Sequence, residues 1–146
     1  MYECHPRAKR FRPDGYYRNQ AWLAWKLGIT GMGFWVYDVS PYDMWDAIRG
    51  QDEYVLVYPS PSGPVPSKRW EACREGIEDY MYLYLLREAC SAADKTDPAL
   101  AAGGRALLDE AVARVFGSRI NYETLMSYRK KIAEMTLRLR GLGSLQ

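Results

Sequence analysis

No stretch of this chain approaches the ~18 consecutive apolar residues of a membrane span, and no repeat or low-complexity segment interrupts its 146 residues. Cysteine is scarce. Cys4, Cys73 and Cys90 form an odd set with no C-x-x-C pair, which indicates neither a disulfide framework nor a zinc site. A dominant charge is missing as well: 20 Lys and Arg against 18 Asp and Glu leave +2, too little to argue for nucleic acid or an anionic membrane surface. The single histidine, His5, reads as a loop residue rather than a ligand, so neither metal nor cofactor is implied. Met1 to His5 offers no charged n-region and no apolar h-region. No signal peptide is therefore expected, and an export address of a parent protein would lie upstream.

What is present suits one globular domain: 48% hydrophobic and 26% charged residues over a length too short for two ordinary domains. Aromatics reach 14%, with five Trp and twelve Tyr. Such rings bury well, and they also stack on sugars and nucleobases.

The organising stretch is TGMGFWVYD, residues 30–38. Alternation puts Gly33, Trp35 and Tyr37 on one face and Phe34 and Val36 on the other. Large apolar groups on both faces point to a parallel strand covered by helices. Upstream, residues 14–27 read as a helix with Asp14 as its N-cap, Tyr17, Ala21, Trp22 and Trp25 inward, and Gly28 as a left-handed C-terminal stop. Before it, His5, Arg7, Lys9, Arg10 and Arg12 form a basic, solvated loop.

Residues 39–67 make a long polar loop, of the kind that carries function or structure of its own. Within it YVLVY, residues 54–58, predicts a short accessory strand, and PSPSGPVP, residues 59–66, a stiff approach to a helix. Trp45 stands out there as a large aromatic with no evident core to enter. Ser67 then caps a helix to about residue 93, with Trp70, Cys73, Ile77, Tyr80 and Tyr84 as its apolar stripe. Gly76 implies a close neighbour, and Glu71, Glu75, Glu78 and Asp79 an exposed acidic face with Arg74 paired to Glu78. A connector over 94–104, a helix over 105–116 and a last helix over 121–140, capped by Asn121, complete the chain.

Two stretches, YYRNQAWLAWKLGITGMGFWVYD and VLVYPSPSGPVPSKRWEACREGIEDYMYL, resemble the catalytic domain of glycoside hydrolase family 123. The Tyr-Arg opening, the W-x-x-W-K-x-G helix, the G-x-G-x-W strand and the P-S-x-R-W-E-x-x-R-x-G-x-E-D-Y helix carry the likeness, which covers most of residues 2–86. It implies an α/β fold, the C-terminal part of a (β/α)8 TIM-type barrel. Residues 2–5 would end strand seven, 14–27 form helix seven, 30–37 strand eight and 67–93 helix eight. Residues 1–93 would thus be barrel, and 94–146 a helical extension.

Members of the family are similar to β-N-acetylgalactosaminidases that work by substrate assistance. The acetamido group attacks the anomeric carbon, while an adjacent Asp-Glu pair near strand four steers that group and supplies the acid. Neither Glu78–Asp79, in reverse order on the helix-eight signature, nor Asp109–Glu110, on a late helix, carries over onto that motif. Strand four would lie upstream, so the catalytic dyad is expected to be missing. Barrel sites sit at the C-terminal strand ends. The resemblance therefore puts Trp35, Tyr37 and Asp38 at the rim, Tyr2 and Glu3 beside them, and Trp45 on the covering loop. Many retaining glycosidases carry a nucleophile where Glu3 stands; this family is not expected to use one, so Glu3 joins the sugar contacts.

The resulting expectation is a mostly helical fragment of a glycoside hydrolase that supplies part of a glycan-binding wall. Its partners would be a glycan and the missing N-terminal part of the barrel, with no nucleic acid and no membrane. A non-catalytic carbohydrate-binding or protein-interaction module is the alternative.

Overall fold

A computed structural model describes residues 2–3, 12–34, 45, 56–117 and 121–141. In chain order these contain β1 Tyr2–Glu3, a π-helical turn Pro13–Arg18 opening into α1 Asn19–Lys26, and β2 Gly33–Phe34. There follow β3 Val57–Tyr58, β4 Val65–Pro66, α2 Lys68–Ala93, α3 Pro98–Gly117 and α4 Tyr122–Leu139. The described residues are mostly helical. The chain divides into two compact units, Met1–Ile77 and Glu78–Gln146, with the division falling inside α2.

In the first unit β1 and β2 pair in parallel, Tyr2 opposite Gly33 and Glu3 opposite Phe34. Parallel neighbours require a crossover, and the helical stretch through α1 provides it. That stretch begins at Pro13 rather than under an Asp14 cap: Arg12 occupies the cap position without a side-chain bond. Proline suits the first helical position because its missing N–H costs nothing there. The far end closes as expected. Gly28 takes φ +66°, and Ile29 N–H reaches Ala24 O at 2.8 Å while Gly28 N–H reaches Trp25 O at 3.0 Å.

Tyr17, Ala21, Trp22 and Ala24 are buried, and Trp25 is half-buried. Phe34 sets its ring 5.4 Å from that of Tyr17 and 6.4 Å from that of Tyr16, tying β2 to the helical stretch. Tyr17 continues into a core with Leu56, Ala72 and Cys73. Gly76 meets its predicted neighbour: a Cβ there would stand 2.6 Å from the backbone oxygen of Arg18.

β3 and β4 form an antiparallel hairpin, Val57 opposite Pro66 and Tyr58 opposite Val65. The expected accessory strand is thus present at residues 57–58, while residues 54 and 55 lie outside the described residues. The run 59–66 is more than a rigid approach, since it makes the hairpin turn and the second strand. Gly63, at φ +116°, donates its N–H to Ser60 O at 3.1 Å to close the turn. Proline is tolerated in β4 because a two-stranded ribbon has only edges. Ser67 caps α2 as predicted, its Oγ accepting from the N–H groups of Arg69 (3.1 Å) and Trp70 (3.2 Å). The same hydroxyl donates to Leu56 O at 2.6 Å, which fastens the hairpin to the helix start.

The second unit is helical. Here α2 buries Asp79, Leu83, Leu86, Ala89, Cys90 and Ala93, at helical spacings of three and four. The predicted stripe on this helix is largely wrong. Cys73 is buried, but Trp70, Ile77 and Tyr84 are exposed and Tyr80 is half-buried. Apolar side chains occur all round α2, so the largest ones do not mark the covered face. The covered face combines Leu83 and Leu86 with small residues that allow close approach.

The acidic-face prediction also fails in part. Asp79 is buried rather than exposed, while Arg74 pairs with Glu71 at 3.0 Å and Glu75 at 3.6 Å. α3 starts seven residues earlier than expected, inside the predicted connector. Pro98 occupies its first turn and Asp97 Oδ1 accepts from Leu100 N–H at 2.9 Å, a cap that the Gly103–Gly104 pair had obscured. Gly104 is a contact residue, since a Cβ there would run into Cys90 Sγ. Asn121 caps α4 as predicted, through Thr124 N–H at 2.8 Å, and Leu125 and Ile132 are buried.

Candidate functional site

β1 and β2 run in the same direction, so Glu3 and Phe34, their last residues, lie side by side. The carboxyl ends of parallel strands are where α/β folds gather ligand contacts. Tyr2 and Glu3 enter the described structure as strand partners of Gly33 and Phe34. Trp35, Tyr37 and Asp38, predicted for the rim, lie outside the described residues.

Trp45 is described, and it is held firmly. Its indole stacks on the Tyr58 ring with centroids 4.6 Å apart and 25° between planes. Its Nε1–H donates to Pro59 O at 3.2 Å. Tyr58 belongs to β3, and its hydroxyl accepts from Arg69 Nη2 at 3.0 Å. The Arg69 guanidinium also stands 5.7 Å from the Tyr58 ring centroid. Trp45 nevertheless remains 57% exposed. The stacking and the hydrogen bond together fix the orientation of the indole.

Tyr58 and Arg69 were not among the predicted site residues. The signals were weak: Tyr58 ends the YVLVY run, and Arg69 sits in the first turn after the Ser67 cap. Nothing in periodicity links either of them to Trp45.

The acidic pairs considered as dyads are engaged in structure. Asp79 Oδ1 accepts from Arg129 Nε at 2.6 Å and Glu78 Oε2 lies 3.4 Å from Arg129 Nη1, with the guanidinium 5.6 Å from the Tyr82 ring centroid. Glu110 Oε1 accepts from the Tyr128 hydroxyl at 2.9 Å, and burial together with that bond raises the Tyr128 pKa. A third pair, Asp52–Glu53, has the Asp-Glu order and escapes a reading centred on strand ends; it lies outside the described residues. The two described thiols are not ready nucleophiles either: burial pushes Cys73 up to about 12 and raises Cys90. Among the described residues no cluster of His, Cys, Asp and Glu is placed to hold a metal, and no helix is long and apolar enough to cross a membrane. The open grooves along α3 and α4, lined by residues such as Leu107, Lys131, Met135 and Arg138, contain none of the predicted contacts.

A family model described as "Glycoside hydrolase 123, catalytic domain" matches residues 7–86, more than half of the chain. Comparison with curated proteins finds no match.

Proposed function

The chain belongs to glycoside hydrolase family 123, and we propose that it is the C-terminal part of a barrel that binds N-acetylgalactosamine-containing glycans without itself supplying the catalytic dyad. The observation that carries this reading is the catalytic-domain match over residues 7–86, which ends on α2. The parallel pairing of β1 with β2 across α1 supports it, being one strand–helix–strand step of such a fold.

In the proposed reaction the substrate's acetamido oxygen bonds to the anomeric carbon as the glycosidic C–O bond breaks. A carboxylic acid delivers its proton to the leaving oxygen. The acid and the carboxylate that steers the amide come from strand four, outside this chain. This chain's share is the wall: Trp35, Tyr37 and Asp38 with Tyr2 and Glu3 at the strand ends, and Trp45 above them.

The test is the purified chain with an aryl N-acetyl-β-galactosaminide and with the non-hydrolysed methyl N-acetyl-β-galactosaminide. Binding of the methyl glycoside without release of the aryl group is expected. Turnover by the chain alone would overturn the missing dyad, and its loss in Asp52→Asn or Glu53→Gln would locate the pair responsible. Absence of any sugar binding would overturn the wall.

A further inference from the structure

We propose that the outward face of α2 pairs with the same face of a second copy of this chain, antiparallel, about a two-fold axis at Met81. The pairing stands on α2 alone and is independent of the glycan reading.

α2 is an unbroken helix from Lys68 to Ala93, about 39 Å long at 1.5 Å per residue. Opposite its buried Leu83, Leu86 and Cys90 runs a seam of Arg74, Ile77, Met81, Leu85 and Glu88, at spacings of three, four, four and three. All five are exposed, Ile77 by 51% and Met81 by 58%. Single apolar side chains on a surface need no explanation, but three on successive turns of one helix form a continuous apolar strip.

The seam reads as a palindrome in chemistry. Four residues either way from Met81 stand Ile77 and Leu85, and seven residues either way stand Arg74 and Glu88. Seven residues are about two turns, so all of them keep to one face. A second copy running the other way, with the axis at Met81, therefore sets Ile77 beside Leu85 and Arg74 beside Glu88, each pair twice. A parallel copy in register would set Arg74 on Arg74 and Glu88 on Glu88. Charge thus selects the antiparallel arrangement, and it selects this chain as its own partner.

The charges at the two ends are placed to reach across. Arg74 pairs along its own helix with Glu71 at 3.0 Å and Glu75 at 3.6 Å, and Glu88 pairs with Arg87 at 3.6 Å. The Arg74 and Glu88 side chains nevertheless stay 52% and 51% exposed. Exposed ion pairs are weak, so a partner from the second copy can share or replace them.

The experiment is sedimentation velocity of the full chain from low to high micromolar concentration. One helix pair is a small interface, so a dimer with a dissociation constant of roughly 10 μM is expected. Met81→Glu sets two carboxylates against each other at the axis. It should weaken association by about tenfold or more at an unchanged urea midpoint. Arg74→Glu and Glu88→Arg should each weaken association too, because each variant then carries like charges at both ends of the seam. An equimolar mixture of these two variants should restore it, and a change in the folding of either one cannot produce that rescue.

A chain that stays monomeric throughout would overturn the pairing and leave the face to another partner, the rest of the barrel included. A dimer that survives Met81→Glu would mean that a different surface is used, which overturns it equally. A mixture no tighter than its components would overturn the antiparallel register.

Discussion

Asp79 and Arg129, fifty positions apart in sequence, meet at 2.6 Å inside the second unit, with the carboxylate fully covered and the guanidinium 12% exposed. A covered charge in so close a pair is sensitive to how it is altered. Removing one member takes a close charge partner from the other, at a cost of up to about 3–5 kcal/mol. Replacing both by apolar groups of similar size removes the desolvation problem altogether. Asp79→Ala and Arg129→Ala should therefore each lower stability strongly in urea denaturation, while Asp79→Leu with Arg129→Met recovers most of the loss. Simple addition of the two single effects in the double variant would contradict the coupling.

The two helical glycines at Gly76 and Gly103 should respond in opposite ways to alanine. Helix propensity alone favours alanine over glycine by about 0.8–1.0 kcal/mol. At Gly103 nothing lies within 4 Å of the added Cβ, so Gly103→Ala should be stabilising by roughly that amount. At Gly76 the Cβ would stand 2.6 Å from Arg18 O, backbone that cannot move without shifting the helical turn. Overpacking of that kind costs about 1–3 kcal/mol, so Gly76→Ala should be destabilising on balance. Thermal midpoints of the two variants check the sign of each.

Burial of Cys73 makes stability depend on alkaline pH. Its thiol moves from 9.0 to about 12 in the folded chain. Between those values the unfolded chain releases a proton that the folded one keeps, so stability is full below pH 9 and falls as pH rises toward 12. The slope in that window should reach about 1.4 kcal/mol per pH unit. Cys73→Ala should lose that slope contribution in urea titrations, and Cys73 should resist a thiol reagent at pH 8 until denaturant is added.

Ser67→Ala should cost more than Asn121→Ala. Both remove an N-cap, worth about 1 kcal/mol. The Asn121 side chain accepts from Thr124 N–H, whereas Ser67 also donates to buried Leu56 O, and leaving such an acceptor bare adds about 1–3 kcal/mol. Equal effects of the two substitutions on the urea midpoint would mean that the Leu56 bond contributes nothing.

The parts of the fold legible in sequence are those where one residue type has one physical use. Gly28 at the end of α1, Gly76 facing Arg18 O, and the caps Ser67 and Asn121 all fall where the residues predict them. The covered face of α2 was not legible, because that helix carries large apolar groups outside as well as within, where Leu83 and Leu86 lie among Ala, Cys, Gly and Asp. Size could not tell the faces apart. The start of α3 was readable from Asp97 and Pro98 but was overridden by two glycines, one of which is needed against Cys90. At the site, Trp45 could be singled out from its polar surroundings, yet its stacking partner Tyr58 is thirteen residues away with no shared periodicity. Such a pair is chosen by the loop's path, and sequence spacing carries no trace of it.

The Ser67 hydroxyl has one proton and two lone pairs, and all three are in use, at Leu56 O, Arg69 N and Trp70 N. Its geometry therefore links the timing of two events as well as their stability. Nucleating a helix is the unfavourable step, since several residues must be fixed before the first bond forms. The hairpin between β3 and β4 is local in sequence and delivers Ser67 already oriented, with its proton committed to Leu56. The longest helix of the described structure can then start from a turn that is half built. This makes the hairpin a place where folding begins, and substitutions that loosen Gly63 should slow the folding of α2 while leaving its rate of unraveling nearly unchanged.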